Sequence, residues 1–132
     1  MQKFGTVMLI DDNANDNFLH ACVLRQADAA NEILEFIYAD DALAYLKNAG
    51  RSQIDAIFLD INLPRMNGWE FLDAYGELYE ELRKGTLLVM VSGTIDPEDV
   101  RRAEAHPLID TFVSKPITTA ALEQLALEFT PR

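Results

Sequence analysis

Four apolar runs in this chain each end on a residue able to carry a charge or a proton, and together they suggest one chemistry. Val7-Met8-Leu9-Ile10 leads into Asp11-Asp12, Ile57-Phe58-Leu59 into Asp60, Val89-Met90-Val91 into Ser92, and Phe112-Val113-Ser114 into Lys115-Pro116. In a parallel sheet such runs are buried strands whose carboxyl ends open on one edge, so distant positions converge on one pocket. A carboxylate there can accept a phosphoryl group as an acyl phosphate, provided the incoming charge is neutralised and the geometry held. Asp60 is the candidate acceptor. Mg²⁺ is a hard, oxygen-seeking ion, so Asp11 or Asp12 together with Asp60 suits it, and a backbone carbonyl near Asn62 completes the shell. Carboxylates this close raise at least one pKa unless a cation or an ammonium offsets their charge. Lys115 is the candidate ammonium, and the Ser92 hydroxyl can donate to another phosphoryl oxygen.

The elements that must position these groups follow from the pattern between them. Strand-length apolar runs alternate with stretches of helical period, which predicts β/α repeated five times. The strands are expected at Thr6 to Ile10, Ile33 to Tyr38, Ala56 to Asp60, Leu87 to Ser92 and Thr111 to Ser114, with the first, third and fourth buried on both faces. Helical stripes are Phe18, Leu19 and Cys22 within Ala14 to Asp28, then Leu72, Tyr75, Tyr79 and Leu82 after Gly68, and lastly Leu122, Leu125, Ala126 and Phe129. Asp96-Pro97 reads as a helix start, with a capping carboxylate and proline at the first helical position, and Thr118 or Thr119 can cap the last helix. Right-handed crossovers between parallel strands then give a doubly wound, five-stranded α/β domain with helices on both faces.

Composition sets the frame. The 132 residues, 49% hydrophobic, fit a single domain spanning 1–132 with an ordinary core, with no effector domain expected. A net charge of −11 argues against nucleic acid or anionic membrane as a direct partner, because phosphate binding needs clustered Lys and Arg. Cys22 is alone, so no internal disulfide is expected, and its apolar setting suggests a buried structural thiol. Neither a signal peptide nor a bilayer-length run is visible, which points to a soluble, cytoplasmic protein. His20 and His106 have no second nitrogen or sulfur ligand beside them, so a transition-metal site is not expected, and His106 before Pro107 reads as shaping a loop.

Taken singly, each signal has a plain structural reading. Asp11-Asp12-Asn13 is an ordinary capping turn, and Lys115-Pro116 an ordinary lysine before a turn-making proline. Their joint occurrence at successive strand ends is what resembles the receiver domain of two-component response regulators, from about Val7 to Leu127. The matching motifs are Leu9-Ile10-Asp11-Asp12-Asn13, Leu59-Asp60-Ile61-Asn62-Leu63-Pro64-Arg65-Met66-Asn67-Gly68, Val91-Ser92-Gly93 and Phe112-Val113-Ser114-Lys115-Pro116.

The resemblance implies a flavodoxin-like (βα)5 fold in which Asp60 accepts a phosphoryl group from a sensor histidine kinase or a histidine phosphotransfer protein. It implies Mg²⁺ on Asp12, Asp60 and the Asn62 carbonyl, with Asp11 acting directly or through water, and Ser92 and Lys115 on the phosphoryl oxygens. Phe112, three residues before the lysine, is the implied packing switch. The face of the fourth predicted helix, fifth strand and fifth helix is the implied readout for a downstream protein target, with homodimerisation through that face left open. Such a protein is a stand-alone switch or relay and not an enzyme of metabolism. Departures are Phe112 in place of the more frequent tyrosine, and Ala105-His106-Pro107-Leu108-Ile109-Asp110 where many receivers carry Gly-Ala. Asn62 and Thr94 fall at positions that in such domains tune hydrolysis of the acyl phosphate.

Three rival readings share parts of this pattern. A haloacid-dehalogenase-type hydrolase places its nucleophile after the first strand as Asp-x-Asp, whereas here the acceptor context follows the third. A flavodoxin-like flavin carrier needs a phosphate-cradling loop, and Asp11-Asp12-Asn13-Ala14-Asn15-Asp16 would repel phosphate. An unphosphorylated pseudo-receiver scaffold keeps the fold without the chemistry, but every chemical position is filled here.

Overall fold

The computed structural model describes residues 4–48, 53–78, 80–93 and 96–128. The elements run β1 (Phe4–Ile10), α1 (Ala14–Gln26), β2 (Ala30–Phe36), α2 (Ala39–Leu46), β3 (Ala56–Asp60), α3 (Gly68–Gly76), α4 (Glu80–Arg83), β4 (Leu87–Ser92), α5 (Pro97–Ala105), β5 (Thr111–Ser114) and α6 (Thr119–Glu128). All five strands pair in parallel in the order β2-β1-β3-β4-β5, the expected doubly wound sheet. The order reverses between β1 and β3, so their carboxyl ends diverge into a crevice where loops can build a site.

Strand alternation sorts the side chains into two cores. Met8 and Ile10 of β1, Ile57 and Leu59 of β3, and Leu88 and Met90 of β4 face α2, α3 and α5, where Leu43, Leu46, Phe71, Leu72 and Ala103 close over them. Val7, Leu9, Phe58, Val89 and Val91 point the other way, against Ala21 and Leu24 of α1 and Leu122 and Leu125 of α6. β1, β3 and β4 are buried on both faces, as their unbroken apolar runs require; only Gly5 is partly exposed.

Four sequence expectations are corrected. Phe18 and Leu19 are 60% and 55% exposed, and α1 instead docks through Asn17, His20, Ala21 and Leu24. The helix keeps the expected period in a different phase, because the Asn17 amide nitrogen donates to two backbone carbonyls, which offsets part of the cost of its burial even though its Oδ1 is buried without a hydrogen-bond partner. Cys22 is only half-buried, on the flank of that docking face. The second strand lies at Ala30–Phe36, beginning three residues and ending two residues earlier than expected, as an edge strand carrying exposed Asn31, Glu32 and Glu35. The stripe beginning at Leu72 and Tyr75 does not run through one helix, since α3 stops at Gly76 and α4 is a separate short turn. Tyr79, Phe129 and the side chain of Leu82 lie outside the described residues.

The caps follow the sequence. Asp96 accepts from the Glu98 N–H with Pro97 at the first helical position, and Thr118 Oγ1 accepts from the Ala121 N–H at 3.1 Å. His106 ends α5 and its Nδ1 accepts from the Leu108 N–H at 3.1 Å, so it does shape the turn before β5. Among the described residues no helix is long and apolar enough to cross a membrane.

The inverted face of α1 has a direct test. Leu24→Ala is expected to cost about 2–5 kcal/mol in urea unfolding, while Phe18→Ala stays within about 0.5 kcal/mol of wild type. Equal losses at the two positions would reject this docking.

Candidate functional site

The site forms where β1, β3 and β5 end. Asp11 and Asp60 are 4% and 7% exposed, and the carboxylate oxygens of Asp11, Asp12 and Asp60 can gather within 4.8 Å of one another. Asp12 is exposed at the rim. The Lys115 side chain, 17% exposed, reaches in from the end of β5 and places Nζ 2.6 Å from Asp11 Oδ2, 3.0 Å from Asp16 Oδ2 and 3.2 Å from Asp60 Oδ2.

Local structure fixes each group. Asn13 caps α1 by accepting from the Asn15 and Asp16 N–H groups, and its own N–H donates to Asp11 Oδ1 at 3.0 Å. The Asn17 amide donates to the carbonyls of Asp11 and Phe36, at 3.1 and 3.2 Å, clamping the ends of β1 and β2 together. After Asp60 the chain folds back so that the Gly68 N–H donates to the Ile61 carbonyl at 2.9 Å. A Cβ on Gly68 would fall 2.7 Å from the Asp60 carbonyl oxygen, so this close approach demands glycine. Asn67 and Glu70 form a reciprocal capping box that starts α3 there. Between them Arg65 sits at φ 66°, a left-handed conformation, and donates to both Asp40 oxygens while stacking 3.7 Å from the Tyr38 ring centroid. These contacts tie the loop after Asp60 to α2.

Electrostatics follow from this geometry. Burial pushes the Asp60 pKa up, and the adjacent Asp11 charge pushes it further, against the opposing pull of Lys115. Burial works against the Lys115 ammonium, but hydrogen bonds to Asp11 and Asp16 and the charge of Asp60 outweigh it and raise its pKa. Lys115 is therefore charged at any physiological pH. His20 lies beneath the carboxylates in a small cavity lined by Leu9, Asp11, Asn17, Phe58 and Asp60. Burial lowers its pKa despite the neighbouring Asp11, which favours a neutral imidazole at neutral pH.

Of the residues singled out in the sequence, Asp11, Asp12, Asp60 and Lys115 come together. Ser92 is buried at the end of β4, one residue past Val91, the partner of Asp60, and its carbonyl accepts from the Lys115 N–H at 2.8 Å. Asn62 is exposed on the loop, with its N–H 3.4 Å from Asp60 Oδ1. Phe112 is half-buried on β5, opposite Met90, beside a cleft of about 310 Å³ that Ala103, Glu104 and Ile109 also line. Thr94 lies outside the described residues. Sequence reasoning missed Asp16 and Asn17 and gave His20 no place here. The available signal was a polar run, Asp16, Asn17 and His20, in register with Ala21 and Leu24 on the docking side of α1.

The chain belongs to the response regulator receiver domain family, which matches residues 7–127. It is 33% identical to a two-component response regulator from Cytophaga hutchinsonii, over 96% of this chain and 99% of that one, with a TM-score of 0.84. It is 24% identical to the hybrid signal transduction histidine kinase L of Dictyostelium discoideum and 26% identical to the sensor histidine kinase GacS of Pseudomonas protegens, over 95% and 94% of this chain. The chain spans only 7% and 13% of the length of those two kinases. It is thus a receiver domain of two-component signalling. Such domains are signalling modules that interact with histidine kinases or phosphotransfer partners and typically bind Mg²⁺ at an acidic pocket.

Asp60 carries an uncomfortable charge, buried and beside Asp11. Asp60→Asn is expected to raise stability at pH 7 by about 1 kcal/mol or more, because Lys115 keeps Asp11 and Asp16 as partners. The folded state holds the Asp60 proton to higher pH than the unfolded chain does. This contribution to stability therefore falls as pH rises from the unfolded carboxylate range through the raised folded pKa. The gap between wild type and variant in urea titrations should be full above that window and close below it.

Proposed function

We propose that this domain is a phosphoacceptor switch in which Asp60 takes a phosphoryl group from a phosphohistidine on a sensor kinase or histidine phosphotransfer protein. An Asp60 carboxylate oxygen attacks phosphorus, the N–P bond breaks, and the departing imidazole nitrogen keeps the electron pair and takes up a proton as required. The product is an acyl phosphate on Asp60. The observation that carries this reading is the Lys115 ammonium 3.2 Å from the Asp60 carboxylate, inside a cluster of acidic oxygens at the sheet's carboxyl edge.

The donor set fits Mg²⁺, since Asp11, Asp12 and Asp60 offer hard oxygen ligands and no nitrogen or sulfur. Asp12, Asp60 and the Asn62 carbonyl would hold the ion, with Asp11 acting directly or through water. When bound, the ion supplies positive charge facing the incoming phosphoryl oxygens. Lys115 donates to one phosphoryl oxygen and the Ser92 hydroxyl to another. Drawing Ser92 inward changes the space beside β4, and Phe112 repacks in response. Phe112 has no hydroxyl, so its rearrangement is a matter of packing alone.

The readout is the α5, β5 and α6 face, which binds a downstream protein or a second copy of the chain in its phosphorylated state. Residues 7–127 act as one domain, working in the cytoplasm as a switch or a relay without turnover of metabolites.

Intact-mass measurement after incubation with acetyl phosphate, with and without Mg²⁺, tests the reading. One Mg²⁺-dependent phosphoryl adduct is expected on wild type and none on Asp60→Asn. No adduct from acetyl phosphate or phosphoramidate, with Mg²⁺ binding weakly or not at all, would replace the switch with a scaffold.

A further inference from the structure

An ammonium has three N–H donors, and each one on Lys115 faces a different carboxylate. Two of these, Asp11 and Asp60, belong to the phosphoryl and metal chemistry above. Asp16 does not. It is outside the acidic cluster of Asp11, Asp12 and Asp60, yet it spans from the first turn of α1 to Lys115, 99 residues away, with a hydrogen bond of 3.0 Å. The start of α1 already has a side-chain cap in Asn13, so capping does not account for that reach.

We propose that Asp16 is a positioning residue that holds Lys115 as its counter-ion and thereby slows the loading of Asp60. The proposal rests on Asp60 being the phosphoryl acceptor. Phosphoryl transfer places negative charge on oxygens that Lys115 must meet, and an ammonium already neutralised at 3.0 Å has less field to offer them. Asp16 is also the partner most easily surrendered. Its side chain is 31% exposed, against 6% for Asp11 and 9% for Asp60, so water can replace its ion pair at the lowest cost. When Lys115 turns to a phosphoryl oxygen, the bond to Asp16 is the one that opens.

The same charge acts on the metal with the opposite sign. Asp16 adds to the negative field that attracts Mg²⁺, so removing it weakens the cation while speeding transfer once the cation is saturating. A residue that only stabilised the start of α1 would shift melting temperature and move neither quantity.

Asp16→Asn removes the charge and keeps a hydrogen-bond acceptor, while Asp16→Ala removes both. For wild type and each variant, the Mg²⁺ dissociation constant is measured by calorimetry. The rate of adduct formation from acetyl phosphate at saturating Mg²⁺ is measured by intact mass. In both variants the dissociation constant and the rate are each expected to rise by about three- to tenfold, the scale of one unit charge a few Å away in a partly solvated site. A rate within about twofold of wild type or slower in either variant, or a dissociation constant that does not rise, overturns the role of Asp16 and leaves Asp60 as acceptor. Absence of any adduct on wild type overturns the acceptor reading, and this proposal falls with it.

Discussion

The structure depends on one compensation, a single ammonium held among carboxylates that would otherwise repel one another. Asp11 and Asp60 are almost fully buried, and burying ionised carboxylates is costly unless they are paired. Lys115 meets both, from a strand more than fifty residues later in the chain than Asp60. The residual strain is visible in the raised pKa of Asp60. A site that is under-compensated at rest has spare affinity for added positive charge, and this is the physical reason an acidic crevice can serve as a place for a cation and for the group the cation accompanies.

Everything around that compensation is built to keep the groups from drifting apart. The Asn17 amide fixes β1 to β2 through the carbonyls of Asp11 and Phe36, and Asn13 fixes the turn between β1 and α1. On the other side, Arg65 accepts a left-handed backbone in order to reach Asp40 and Tyr38, anchoring the loop that follows Asp60. The two cores on either side of the sheet hold β1, β3 and β4 rigidly in register, so the end of each strand is a defined point in space.

Much of this was legible in the sequence because strands buried on both faces have little freedom in composition. Val7 to Ile10, Ala56 to Leu59 and Leu87 to Val91 are uninterrupted apolar runs, and the polar residue that ends each one marks the edge of the sheet. The edge strand β2 was harder, since water on one side permits Asn31, Glu32 and Glu35, and alternation no longer fixes its limits. Helix α1 misled for a different reason. Phe18 and Leu19 invite burial by residue type, whereas Asn17 and His20 look solvated, and only the tertiary partners of Asn17 reverse that order. Asp16 escaped notice because its partner lies at the far end of the chain, and no local spacing encodes a contact of that kind.

The glycine at the head of α3 has a mechanical consequence. With nothing larger than a hydrogen between residue 68 and the carbonyl of Asp60, the end of β3 and the start of α3 meet backbone to backbone, and the capping box braces the joint. That corner of the molecule acts as an anvil. A Cβ at Gly93 would meet the Lys115 side chain at 3.7 Å, an ordinary contact, so no comparable steric constraint demands glycine there. The backbone of Asp60 is thus held on its carbonyl side, and any displacement at this corner is left to the side chain rather than to the end of the strand.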